Sequence, residues 1–517
     1  MKKLITMALA GVSIVASAAT DYSLKFNPEA YIIKTLKMVD GSEVKYKAYE
    51  GIYYVTNVED STYQTLNFYV PEKLANGDKT PILLRTYVGG YMASTAKDPS
   101  ATDATGRALK EGYAVCIPGS RGSNSIVNDG KKDIYTGIAP NGLLDLKAAI
   151  RYLHYNDDVM PGSADLIFTD GTSAGGAMSS LMGATGNSKK YEAYLKKMGA
   201  AEASDAVFAS ICYCPITDLN HADMEYEWLY SCTNDGVRGL SDAQKSVSEE
   251  LAAMCPDYIN SLNLTTPNGE KLTADNYKDY IKQLLIESAH KALQAGVEIP
   301  DSIGVTFYQE KFGGFPGGGA RGGMRGGRPN GQRPPMMGDG RGAPSFGPAG
   351  ARPMFNNRTD FVSDIDLDKY LNYVASSTVL KTPPAFDSYG VIDGAASAEN
   401  KVFGNSKGEA ANFTEYSLRA RTGNKKATLD KAMQERVYIM NPMNFIGGDS
   451  DSQLAQHWYI RHGAKDRDTS FLVPINLATK LQNAGYDVNF ALPWNRPHSG
   501  DYNLDDLFSW IKSVLNK

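Results

Sequence analysis

The sequence predicts an α/β fold, with a mostly parallel central sheet, helices on both faces and one large insertion. Three observations predict it. Strand-like and helix-like patterns alternate from about residue 50 to 216. The rhythm breaks over about 217 to 380, and strand and helix resume towards the C-terminus. Alternation of this kind builds parallel strands joined by crossover helices.

In order along the chain, Tyr63 to Val70, Pro81 to Val88 and Tyr113 to Ile117 read as strands. Asn141 to Tyr155 is an amphipathic helix, with Leu143, Leu144, Leu146, Ile150 and Leu153 at helical spacing. Leu166 to Thr169 is a short buried strand, and Ala174 to Met182 a small-residue helix. Ala206 to Tyr213 is the next strand. The insertion carries helical patterns at Ser241 to Tyr258, where Ser241 and Gln244 fit a capping box, and at Ala274 to Ala295. The last block reads as strand Trp458 to Arg461, helix Phe471 to Ala484, strand Asp487 to Leu492 and helix Leu504 to Leu515. The division is therefore a first core part, 19–216, an insertion, 217–380, and a second core part, 381–517.

Two segments stand outside that pattern. Residues 1–18 read as an export signal: Lys2 and Lys3, an apolar run from Leu4 to Val15, and a small-residue cleavage site at Ala16-Ser17-Ala18. This implies a secreted or periplasmic protein. The run is too short to span a bilayer comfortably, and no later segment suits a membrane helix, so no stable membrane insertion is expected. Residues 313–353 are dense in Gly, Pro and Arg and cannot bury enough apolar surface to offset their ordering entropy. They read as a disordered surface loop. Although they resemble RGG-type RNA-binding tracts, the net charge of −5 gives no pull towards nucleic acid.

The 31 tyrosines suit either an aromatic-handling surface or plain packing. Five cysteines, Cys116, Cys212, Cys214, Cys232 and Cys255, exclude full intramolecular pairing. Cys212 and Cys214 lie two apart on the expected strand, facing one side with poor geometry for a mutual bond. A Cys232–Cys255 pair stays open. One Cys-x-Cys with no His pattern nearby does not make a metal site.

The chemistry centres on Gly171-Thr172-Ser173-Ala174-Gly175-Gly176. A G-x-S-x-G between strand and helix puts a serine on a strained turn, where small neighbours avoid collision. In a glycine-rich chain the string alone is weak, and the strand before it and the helix after it strengthen it. Serine is a poor nucleophile without a base. In this arrangement the chain order is Ser, acid, His. Of the six histidines, only His498 follows the last expected strand. The acid should follow the strand before, where Asp466 and Asp468 compete; Asp466 comes first after the glycine turn and is better placed to orient the ring. An oxyanion hole would use the N–H of Ala174 and one from the loop Val88-Gly89-Gly90-Tyr91, with Gly90 and Tyr91 as candidates.

These residues resemble those of the bacterial tannases, esterases with an α/β-hydrolase fold. The resemblance is carried by the elbow, by Pro215-Ile216-Thr217-Asp218-Leu219 and Ala222-Asp223-Met224, and by Lys381-Thr382-Pro383-Pro384-Ala385-Phe386-Asp387. Glu399-Asn400 with Phe403-Gly404 and the run Arg461 to Asp468 complete it. The fungal tannases and their feruloyl esterase relatives do not fit, because a cysteine precedes their serine and another follows their histidine, where this chain has Thr172 and Ser499. The resemblance implies a triad of Ser173, Asp466 and His498. It also implies that Lys381, Glu399 and Asp468 hold the hydroxyls of a galloyl group. It further implies a small-molecule phenolic ester as partner, with no cofactor and no metal, and leaves the oligomeric state open. The Gly-rich stretch has no counterpart in the family. Competing readings are a feruloyl or other ester hydrolase, a serine peptidase on the same fold, and a non-catalytic binding protein.

Overall fold

The computed structural model describes residues 22–308, 361–448 and 451–517. The expected export segment, 1–18, and the Gly/Pro/Arg-rich stretch, 313–353, lie outside the described residues.

Nine strands form one sheet: β1 (Ile32–Lys37), β2 (Glu43–Tyr53), β3 (Thr65–Pro71), β4 (Ile82–Arg85), β5 (Ala114–Pro118), β6 (Ile167–Thr172), β7 (Ala209–Tyr213), β8 (His457–Arg461) and β9 (Asp487–Ala491). Their spatial order is β1-β2-β3-β5-β4-β6-β7-β8-β9. The run from β5 to β9 is parallel throughout, and the β1, β2 and β3 pairings are antiparallel. β1 and β2 were not anticipated from the sequence. They sit at the sheet edge, and Ile32 and Ile33 are exposed, so their hydrophobic pattern carries little of the buried-strand signal.

Alternate residues feed two cores, as the pleat requires. Ile82, Leu84, Cys116, Ile167, Trp458 and Ile460 face helices Asn141–Tyr155, Ala174–Ala184 and Leu472–Asn483. Leu83, Val115, Phe168, Ile211 and Tyr459 face helices Ala104–Lys110 and Leu504–Leu515. Helices Asn141–Tyr155 and Leu504–Leu515 have the expected limits. Tyr54, Tyr69, Tyr152, Tyr213 and Tyr277 are fully buried, so much of the tyrosine content fills the interior.

Between Tyr213 and His457 no described residue adds a strand to this sheet. That length folds into helices, among them Leu219–Tyr230, Asp242–Ser261, Tyr277–Gln294, Leu367–Ser377, Glu415–Thr422 and Lys431–Ile439. Ser241 and Gln244 close the expected capping box. Tyr226, Leu229, Ile259, Ile281 and Tyr370 join the same core as the sheet, so this insertion packs directly over it. It runs on past the expected limit of 380 as far as His457, because the described residues between them form helices and loops and resume no strand of this sheet. All five cysteines are free thiols.

Candidate active site

Parallel strands place their following loops side by side at one edge of the sheet, where open α/β sheets hold ligands. The first such loop is the turn after β6. Ser173 has φ 64° and ψ −126°, a conformation L-residues avoid unless the surroundings enforce it. Its amide donates to the Tyr213 carbonyl at 2.9 Å, and its carbonyl accepts from Ile216 at 3.3 Å. The glycines are required sterically. A Cβ on Gly171 would strike the Gly175 carbonyl, and one on Gly175 would lie 2.8 Å from the Val88 carbonyl. The latter contact seats the loop Val88 to Tyr91 against the start of helix Ala174–Ala184. Gly90 and Tyr91 both have φ 53°, and the Tyr91 hydroxyl donates to the Ile216 carbonyl at 2.8 Å. The Ala174 amide lies in the first helical turn, whose N–H groups have no intrahelical acceptor.

The acid and base loops follow β8 and β9, which pair in register up to Arg461 and Ala491. Gly463 lets the loops touch: its Cβ position falls 2.7 Å from the Pro497 carbonyl. Lys465 N–H donates to the Arg496 carbonyl at 3.0 Å. His498 Nδ1 thereby lies 2.8 Å from Asp466 Oδ2 and 3.9 Å from Asp468 Oδ2. Asp466 Oδ1 accepts the Asp468 amide at 2.8 Å. Of the two competing carboxylates, Asp466 is the one bonded to the ring. Among the described contacts, the Ser173 hydroxyl makes no hydrogen bond to His498; such bonds are often long until substrate excludes water. An ion pair anchors the base loop from below, with Arg85 Nη1 2.6 Å from Asp170 and Nη2 2.5 Å from Asp501.

Full burial of Asp466 opposes its charge, but His462, His498 and the Asp468 amide more than compensate, and its carboxyl falls to about 2. Desolvation works against protonation of His498. The hydrogen bond to Asp466 and the Asp468 charge outweigh it, and the Lys381 charge partly counters them; the net shift is upward. His462 is wholly buried 3.5 Å from Asp466. Burial drives it down to about 4, so it is neutral at pH 7. Its role was not anticipated from the sequence, where it merely flanks a strand.

The insertion supplies the opposite wall. Lys381 is half-buried, its Nζ 4.1 Å from the centroid of the Phe386 ring. Its amide donates to the Tyr226 hydroxyl at 3.0 Å, and its carbonyl accepts from Arg238 Nη2 at 2.5 Å. Tyr226 and Tyr230 donate to the Arg467 and Asp466 carbonyls at 2.7 and 3.1 Å, joining this wall to the acid loop. Glu399 is 7% exposed on helix Ala398–Val402. Burial is the main cause that raises the Tyr91 phenol, and the Glu399 charge adds to it. Lys381 and Asp468 thus act on His498, and Glu399 on Tyr91.

Two buried carboxylates tie the segment down. Asp223 accepts the amides of Phe386 and Asp387 at 2.7 and 2.9 Å. Asp387 accepts from Asn400 Nδ2 at 2.6 Å, Asn412 Nδ2 at 2.8 Å, and the Phe413 and Thr414 amides at 3.0 and 2.8 Å. Both lie in the runs that carry the resemblance, yet no local pattern marks them as buried anchors. Cys214 is another correction. The strand ends at Tyr213, and Cys214, at φ 45°, turns out of it, its thiol donating to the Ser499 carbonyl at 3.3 Å. A cavity of about 840 Å³ between helices Leu219–Tyr230, Asp242–Ser261, Glu415–Thr422 and Lys431–Ile439 is lined by none of the expected site residues.

Together the sheet order and the serine elbow define a hydrolase of the α/β-hydrolase class. The BD-FAE family model matches residues 66–260. The tannase of Fusobacterium nucleatum superposes with a TM-score of 0.77 at 34% identity, over 96% of this chain and 100% of that one. The tannin acyl hydrolase of Lactobacillus plantarum gives 0.76 at 34% identity, over 95% and 98%. A tannin acyl hydrolase in complex with ethyl gallate gives 0.75 at 34% identity, over 95% and 98%. Comparison with curated protein sequences gave no match. The chain belongs to the bacterial tannase family. Among the described residues, no helix is long and apolar enough to cross a membrane.

Proposed function

We propose that this esterase hydrolyses galloyl esters and hydrolysable tannins outside the cytoplasm, through an acyl-enzyme formed on Ser173. The observation that carries the reading is the His498–Asp466 contact of 2.8 Å, with Asp468 3.9 Å from the same ring nitrogen. His498 Nδ1–H donates a hydrogen bond to Asp466, which stays ionised and fixes the tautomer, leaving Nε2 free to take the Ser173 proton as Oγ attacks the ester carbonyl. The oxyanion is met by the Ala174 N–H and by that of Gly90 or Tyr91. His498 then protonates the departing alcohol, and water repeats the sequence to release the acid.

Lys381, Glu399 and Asp468 are assigned to the ring hydroxyls. Carboxylates accept from phenolic O–H groups and the ammonium donates to them. An acyl group without hydroxyls leaves these charges desolvated and unpaired, which discriminates strongly against it. The ethyl gallate complex of a relative supports the same choice of acyl group. Residues 1–18 are assigned as the export signal, with the mature chain starting near Ala19.

The test is a hydrolysis panel of methyl gallate, methyl benzoate, methyl ferulate, a nitrophenyl acetate and a peptide anilide. Methyl gallate should exceed methyl benzoate in kcat/KM by about two orders of magnitude, from two lost polar partners. Equal efficiency on those two would reject the galloyl pocket and leave the esterase in place. Preference for the ferulate or the anilide would favour a competing reading.

A further inference from the structure

The thiol of Cys214 has no part in the hydrolysis described above, yet it lies against the acid–base pair. Cys214 Sγ, a carboxylate oxygen of Asp466 and a ring nitrogen of His498 all lie within 4.8 Å of one another. Cys214 and Asp466 are buried, and the His498 side chain is 19% exposed, so the group opens to solvent on the imidazole side. Beside them, the buried His462 has both ring nitrogens without a hydrogen-bond partner and Nδ1 3.5 Å from Asp466 Oδ2. A thiolate, a carboxylate and an imidazole are the donor types that bind zinc, at about 2.0–2.3 Å from the metal. Tetrahedral placement at those lengths sets donors roughly 3.5 Å apart, so shifts of about 1 Å would close this group on an ion.

We propose that Cys214, Asp466 and His498 form an inhibitory site for a thiophilic divalent cation such as Zn²⁺. The cation enters past His498 and takes a lone pair from each donor. The Cys214 thiol loses its proton to solvent, because the thiolate is the ligand. At His498 the metal takes Nδ1, and the ring proton moves through solvent to Nε2. No oxidation state changes. The ring then carries its proton on the nitrogen that should receive the Ser173 proton, and it has lost its contact with Asp466 as hydrogen-bond acceptor. Inhibition therefore comes from locking the wrong tautomer. This inhibitory half rests on His498 being the base, as proposed above; the binding half does not.

The test uses the full chain with Zn²⁺ for inhibition and Cd²⁺ for spectroscopy. Zn²⁺ should slow nitrophenyl acetate hydrolysis reversibly, with full recovery on chelation. Cys214→Ala and Cys214→Ser, each compared with its own metal-free rate, should need at least about tenfold more Zn²⁺, since even an outer-sphere partner is worth that much in metal affinity. The serine variant preserves the side-chain size in case the alanine variant folds poorly. In Ser173→Ala protein, which needs no turnover to be read, Cd²⁺ should give an ultraviolet thiolate-to-metal band that the added Cys214 substitution removes. Equal Zn²⁺ sensitivity in both cysteine variants, or no Cys214-dependent band, would overturn the site. A Cys214-dependent band with unimpaired turnover would overturn the inhibition and count against His498 as the base, with the galloyl reading untouched.

Discussion

The loops bearing Ser173, Asp466 and His498 and the insertion segment bearing Lys381 and Glu399 are held by different means. The first set is fixed by strand register. Parallel pairing of β6 with β7 and of β8 with β9 sets the loops side by side, and glycine contacts at Gly175 and Gly463 draw them together. The second has no strand beneath it. It hangs on the buried carboxylates Asp223 and Asp387, which gather backbone amides and asparagine side chains from several short segments. The comparison teaches that reaction chemistry and acyl-group choice can fail separately, because register resists a point change and a carboxylate bracket does not.

The largest expected effect tests the first set. Ser173→Ala should lower kcat on every ester by about 10⁶-fold with the fold retained, as judged by circular dichroism. Asp466→Asn comes next, at about 10⁴-fold or less, again on every ester, because the base keeps its place and loses its tautomer. Substantial residual turnover in either variant would remove that residue from the reaction.

Asp387→Ala probes the bracket. It leaves amide and asparagine donors unpaired in the interior, a loss of roughly 3–5 kcal/mol that should appear as a lowered melting temperature. Methyl gallate kcat/KM should fall much further than nitrophenyl acetate kcat/KM. A parallel fall on both substrates would mean that the two regions are not separable.

Asp468→Asn should cut methyl gallate kcat/KM by about tenfold or more and spare nitrophenyl acetate, because one charged partner of the ring is lost.

The smallest effect is in the pH profile. His498 must be neutral to accept a proton, and its pKa is raised in the folded protein despite burial. The acid limb of kcat/KM should therefore lie above the ordinary imidazole value of about 6.5. The Asp468 charge favours the imidazolium, so Asp468→Asn should move the limb to lower pH; the Lys381 charge opposes it, so Lys381→Met should move it higher. Shifts on the order of half a unit are expected at this partly buried site. Shifts of one sign in both variants would break the link between these residues and His498.

The sequence by itself determined the alternating α/β pattern, the helices at Asn141–Tyr155 and Leu504–Leu515, and the serine elbow. These are local: periodicity, small residues at a turn and the order of motifs need no knowledge of what packs against them. The choice of Asp466 over Asp468 was only favoured by its position after the glycine turn, and the 2.8 Å contact with His498 came from the meeting of two loops. Only the tertiary structure decided that β1 and β2 extend the sheet edge, that Asp223 and Asp387 are buried anchors, and that His462 and Cys214 lie under the acid–base pair. The physical reason is shared. Burial, charge and contact at those positions come from segments that only the fold brings together, from 13 residues apart for Asp387 and Asn400 to 285 for Cys214 and Ser499, and the local pattern around each side chain carries no record of them.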